Sequence, residues 1–149
     1  SRRQRQMCIR DSHIPVYAAE AEKETMQDAS INLSINMGGA MLSVEADHWL
    51  KDGETITLLD QEVRCILTPG HTVGGMCFYF PKAGMLFSGD TLFQESVGRT
   101  DFPGGSMSEI VRSIREKLFV LPDAVQVYPG HGLMTSIKNE KMFNPFAVE

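Results

Sequence analysis

The sequence predicts an α+β domain in which helices cover sheets, and three observations carry that expectation. Strand-like apolar runs fill the middle of the chain, in KDGETITLLDQEVRCIL, GMCFYF, GMLFSG and VQVYPG. One strongly amphipathic helix, SMSEIVRSIREKLFVLP, interrupts them late, and the order of strands first, then strands mixed with helices, is that of sheets packed under helices. The chain has 149 residues, 42% of them apolar and 22% charged, which suffices for one buried core.

Residues 1–12, SRRQRQMCIRDS, have neither helical nor strand periodicity. They resemble a translated sequencing-adapter remnant and are expected to be a non-native or disordered extension. HIPVYAAEAEKE then starts as though in mid-domain, a short strand running straight into a helix, so residues 13–149 are expected to form the C-terminal portion of one domain. SINLSINMGGAMLS is rich in Gly, Asn and Ser and reads as irregular, and KDGETITLLDQEVRCIL reads as two strands around a short turn at Asp60 and Gln61. GMCFYF and GMLFSG are further strands. In the helix that follows, Ser106 and Glu109 make a capping box, and Met107, Ile110, Val111, Ile114 and Leu118 recur on one face. Pro122 marks its end. VQVYPG is the next strand and TSIKNEKMF a final short helix.

Composition narrows the function classes. The net charge of −5 divides into four Arg against one Asp in residues 1–12 and ten Lys/Arg against eighteen Asp/Glu in the remainder, so the body of the domain is acidic. No basic stripe for nucleic acid is visible outside the first residues. No apolar run approaches the ~20 residues of a membrane span, and the Arg-rich start lacks the apolar segment of a secretory signal, which together predict a cytoplasmic protein without a membrane partner. Cys8, Cys65 and Cys77 are odd in number and form no C-x-x-C, and read as free thiols rather than a disulfide framework or a thiolate metal site.

Chemistry concentrates where three apolar strands end alike: CILTPGH at His71, MLFSGD at Asp90 and VQVYPGH at His131. In each, small residues let the backbone turn closely and deliver one His or Asp at the mouth of a loop. If the strands are neighbours, the three side chains converge at one sheet edge, on a rigid scaffold with variable loops. Imidazole and carboxylate are the donors that suit zinc, iron or manganese, and a carboxylate has two oxygens with which to bridge two ions. His13, beside the doubtful segment, and His48, in a turn or short helix before a strand, are expected to be structural.

TPGHT, SGDTLF, VGRTDFPGG and YPGHG, in this order and at these spacings, resemble the metallo-β-lactamase fold superfamily, most closely its glyoxalase II-like (hydroxyacylglutathione hydrolase-like) members. The likeness covers roughly residues 13–149. It implies a four-layer αββα sandwich with a metal site at one edge of the paired sheets. It also implies that His71 binds one metal, that Asp90 bridges two and is central to catalysis, and that His131 binds the second. The cofactor implied is two divalent ions, zinc first, with iron or manganese as alternatives. The substrate is a small-molecule thioester or related ester, hydrolysed by metal-assisted attack of water. Arg99 falls where such enzymes place a basic residue against glutathione, so it is either a substrate anchor or an intramolecular ion pair with Asp101.

The sequence also departs from that pattern. Superfamily members carry an upstream H-x-H-x-D-H run that supplies the remaining ligands, and this chain has none. The expectation is therefore an incomplete sandwich, lacking its N-terminal strands, whose intact parent is the hydrolase. Asp101 and Leu133 stand where glyoxalase II enzymes use tyrosines, and no C-terminal glutathione-binding extension follows FNPFAVE. Two competing readings follow: a mononuclear iron persulfide dioxygenase, whose class also carries a GRTDF stretch, and a truncated domain that catalyses nothing.

Overall fold

The computed structural model describes residues 15–24 and 46–147; residues 1–12 and His13 lie outside them, as does all of SINLSINMGGAMLS. The chain divides into two units, Ser1–Leu50 and Lys51–Glu149.

In the first unit, strand β1 (Tyr17–Ala19) runs into a single 3-10 turn, Glu20–Glu22, and pairs in parallel with β2 (His48–Leu50), Tyr17 opposite His48. The strand-then-helix reading of HIPVYAAEAEKE thus gains its strand, a tight turn and, at Lys23 and Glu24, the first residues of a helix. His48 lies on a strand rather than in a turn or short helix, and its imidazole stacks on Tyr17 with ring centroids 4.6 Å apart. The local pattern EADHWL hides this, because the strand is only three residues long and is defined by its partner. Asp47 fixes the register by accepting a hydrogen bond from the Val16 N–H at 2.7 Å.

The second unit is built on a six-stranded sheet. Its strands are β3 (Thr55–Leu58), β4 (Gln61–Leu67), β5 (Met76–Phe80), β6 (Met85–Gly89), β9 (Gln126–Pro129) and β10 (Thr135–Ser136), in the order β10-β9-β6-β5-β4-β3. A separate hairpin, β7 (Leu92–Phe93) with β8 (Ser96–Val97), follows β6. The β3–β4 turn falls one residue earlier than its sequence suggests. Leu59 and Asp60 both have positive φ, 51° and 59°, the mirror-image geometry that matches strand twist in two-residue hairpins.

Side-chain alternation gives the sheet two different faces. One carries Ile66, Cys77, Tyr79, Leu86 and Val127, all buried, and they share a core with Ile110, Ile114, Leu118 and Ile137 of the helices. The helices are α1 (Met107–Ser113), which widens into a π-type turn over Ile114–Leu118, and α2 (Ile137–Phe143). Ser106 caps α1 by accepting from the Glu109 N–H at 3.3 Å, as its sequence predicts. Met107 does not follow the apolar stripe into the core, since it belongs to the first turn and is exposed. The unit thus supplies a sheet and a helical layer, two of the four layers that the resemblance implies.

Cys65 and Cys77 are free and buried, as expected for inert thiols, and burial pushes each up to about 11. Among the described residues no helix is long and apolar enough to cross a membrane.

Candidate functional site

Strand directions place the site. β5 is antiparallel to both β4 and β6, and β6 is parallel to β9, so β4, β6 and β9 all end at the same edge. β6 and β9 are neighbours, whereas β5 separates β4 from β6. The loops close that gap: the buried hydroxyls of Thr68, after β4, and Thr91, after β6, bond at 2.9 Å.

At this edge the structure brings together His71, Asp90 and His131. His71 Nε2 lies 3.6 Å from Asp90 Oδ2, and His131 Nδ1 lies 3.4 Å from Asp90 Oδ1. One carboxylate therefore faces two imidazoles, one oxygen to each. Glycines permit this crowding. A Cβ on Gly98 would fall on the Asp90 carbonyl oxygen and 3.3 Å from His71 Cβ, and one on Gly130 would sit 3.2 Å from Asp90 Oδ1.

The orientation of His71 is set from behind. Its Nδ1 lies 2.7 Å from the Arg99 carbonyl oxygen, which can only accept, so Nδ1 carries a proton and a neutral ring turns the Nε2 lone pair towards Asp90. In that tautomer a lone pair and a carboxylate oxygen, both acceptors, face each other with space for a cation between them.

Arg99 sits at the rim with its side chain engaged. Its Nε and one terminal nitrogen donate to the two Asp101 oxygens at 3.0 and 2.7 Å, and its guanidinium lies 4.5 Å from the centroid of Phe102. These bonds hold Arg99 above the ordinary arginine value and Asp101 below the usual carboxylate range. Phe102 in turn meets His71 edge-on at 6.0 Å. The intramolecular pair that the sequence offered as one role of Arg99 is thus formed.

A cavity of about 390 Å³ opens over the cluster, with Phe93, Val97 and Leu133 as its apolar wall and Gln94 and Ser96 among its polar groups. Phe93 lies against His131 with ring centroids 4.5 Å apart. Sequence reasoning did not single out Phe93, Gln94, Ser96 or Val97. The hairpin that carries them is two residues per strand, too short to show any period.

The three residues fit divalent ions in donor type and spacing. Two ligands each ~2.1 Å from one tetrahedral ion are separated by ~3.4 Å, close to what the imidazole–carboxylate pairs show. Each of the two positions has two protein donors sharing Asp90, and no group of three or more His, Cys, Asp or Glu converges on one point among the described residues.

Comparison with known proteins agrees with the geometry. Residues 10–131 match a protein family, the metallo-beta-lactamase superfamily. The chain is 37% identical over 134 residues to the probable metallo-hydrolase YqgX of Bacillus subtilis, covering 89% of this chain and 64% of that protein. It is 41% identical over 101 residues to the hydroxyacylglutathione hydrolase GloC of Haemophilus influenzae, covering 67% of this chain and 48% of that protein. Among solved structures it resembles the BLEG-1 B3 metallo-beta-lactamase, with a TM-score of 0.86 and 36% identity over 95% of this chain and 69% of that one. It also resembles TTHA1623 in a di-iron-bound form, with a TM-score of 0.77 and 31% identity over 93% and 67%. The chain spans 62–64% of the length of the first three curated relatives it matches.

Proposed function

This chain belongs to the metallo-beta-lactamase superfamily, and on that premise we propose that its site serves a metal-dependent hydrolase acting on a small-molecule thioester of the hydroxyacylglutathione type. The observation that carries the reading is the placement of His71 and His131 on opposite oxygens of Asp90. The likeness to GloC supports the thioester, and the di-iron relative supports two divalent ions. Divalent ions held there would lower the pKa of a water towards neutrality and polarise the carbonyl under attack.

The chain's own residues do the positioning. Asp90 would offer one oxygen to each of two ions, His71 and His131 would each hold one of them, and the Arg99 carbonyl keeps His71 in the tautomer that ligation needs. Phe93, Val97 and Leu133 offer an apolar wall to an acyl group. We further read the second face of the sheet, where Phe78, Phe87 and Tyr128 stand side by side, as the face that a second sheet covers in a four-layer sandwich.

The test joins this chain, at His13, to the segment of a superfamily member that bears the H-x-H-x-D-H run. Loaded with zinc, manganese or iron, the chimera is expected to bind two ions and to hydrolyse an S-(2-hydroxyacyl)glutathione, with activity lost to a chelator. This chain by itself should remain near background. A folded, two-metal chimera that hydrolyses no thioester or ester defeats the proposal, and a single iron with oxygen consumption would replace it with the dioxygenase reading.

Arg99 then becomes measurable as an anchor. A substrate carboxylate has to compete with Asp101 for its fork, so Arg99→Ala should raise KM about tenfold with kcat little changed, and Asp101→Asn, which frees the fork, should lower KM. Unchanged KM in both variants would confine Arg99 to its carbonyl contact and its ion pair.

A further inference from the structure

Glu140 has no part in the reading above, yet it is fully buried on α2 and its carboxylate accepts four hydrogen bonds. Oε2 takes the Thr135 hydroxyl at 2.7 Å, from the strand that leads into the helix, and the Asn139 amide at 3.0 Å, from its first turn. Oε1 takes the Glu95 backbone N–H at 2.6 Å and the Asn144 amide at 3.2 Å. All four donors are neutral. Burying a carboxylate among neutral donors is unfavourable before the bonds offset it, and helix α2 already has a cap at Ser136 and a core residue at Ile137. What the carboxylate joins is therefore informative.

Oε1 reaches 45 residues back in the chain to the turn of the β7–β8 hairpin. Asn144, itself buried at the end of α2, donates from the same amide nitrogen to the Ser96 carbonyl at 3.1 Å, so two successive residues of the hairpin are held from α2 and its cap. Glu95 needs the support, since its φ of 54° is a left-handed conformation that a non-glycine residue adopts at a cost. The hairpin carries Phe93, Gln94, Ser96 and Val97 of the cavity wall, places Phe93 against His131, and leads through Gly98 to the Arg99 carbonyl behind His71.

We propose that Glu140, with Asn144, is a positioning residue that fixes the β7–β8 hairpin against the site and keeps Phe93 over His131. Its importance for catalysis rests on the reading of this cavity as the active site, but the geometry it controls can be read without activity. A carboxylate is not strictly required. Glutamine can keep its carbonyl oxygen on the Glu95 N–H and turn its amide towards Thr135, whose hydroxyl can accept. Alanine cannot do either.

The experiment follows the imidazole Cε1–H resonances of the metal-free 149-residue chain at fixed pH, with His131 assigned by its disappearance in His131→Gln. Phe93→Leu removes the ring current and gives the displacement expected when the ring leaves. Glu140→Ala should move the His131 resonance at least half that far, Glu140→Gln should restore most of the original position, and Thr135→Val, which touches only the far oxygen, should leave it in place. Should Glu140→Ala not fold, Asn144→Ala, which cuts the Ser96 tie, is read the same way. A folded variant with the His131 resonance at its wild-type position overturns the proposal, as does an equal displacement from Thr135→Val. Loss of the thioesterase reading would leave these shifts untouched, so the two failures are distinguishable.

Discussion

Asp90→Ala is expected to lower divalent-cation affinity at least 100-fold by calorimetric titration with zinc, and to bring thioester hydrolysis by the chimera to background. Among the described residues Asp90 is the side chain that faces both imidazoles, at 3.6 and 3.4 Å. Without it, each position keeps a single protein donor from this cluster. Losing an outer-shell partner of a ligand already costs about 10–100-fold in affinity, so losing the shared ligand itself should exceed that. Asp90→Asn keeps the shape and one acceptor oxygen while removing the charge, and should fall between the two. Stability should change by no more than about 0.5 kcal/mol, because the Asp90 side chain is half exposed and fills no core volume. Retention of near wild-type affinity by Asp90→Ala in a folded protein would show that cations bind elsewhere.

The three strand ends were legible because each combines a buried run, small residues and a single ligand-type side chain, a pattern local to six or seven residues. Asp90 and His131 needed only the pairing of β6 with β9 to meet. His71 needed more: a strand interposed at β5, a Thr68–Thr91 bridge and the Arg99 carbonyl, none of which has a local signature. Leu59 shows the same limit on a smaller scale. An exposed leucine at positive φ contradicts its own preference, and only the pairing of β3 with β4 imposes it. Met107 fits the helical period yet is exposed, since period reports a face and not how far along the helix that face is covered. Glu140 was the least legible of all. A glutamate on a short helix reads as a surface residue, and its distant partner, the turn of β7–β8, becomes adjacent only after the sheet and α2 have packed.

Gly70→Ala is expected to cost about 3 kcal/mol or more, which for a domain of this size corresponds to a fall in Tm of roughly 10 °C. Two effects combine at this position. Its φ of 140° is one that L side chains rarely adopt, and a Cβ there would fall on the backbone nitrogen, Cα and Cβ of Ile110. Ile110 cannot give way: it is fully buried in the core, and the N-terminus of α1 is tied down by the Ser106 N–H, which donates to the Gly70 carbonyl at 2.8 Å. The Ser113 hydroxyl adds a bond to the Pro69 carbonyl at 2.9 Å, so both ends of α1 are docked on the turn that precedes His71. Gly84→Ala separates the two effects, because Gly84 also has positive φ, 63°, but nothing within 4 Å of its Cβ position. That variant should carry the backbone strain alone, about 1 kcal/mol. If thermal unfolding shows Gly70→Ala no worse than Gly84→Ala, the close approach of α1 to the His71 turn is not a constraint on the fold. If the difference is as large as expected, the cation affinity of Gly70→Ala should fall as well, since a turn pushed off α1 carries His71 away from Asp90.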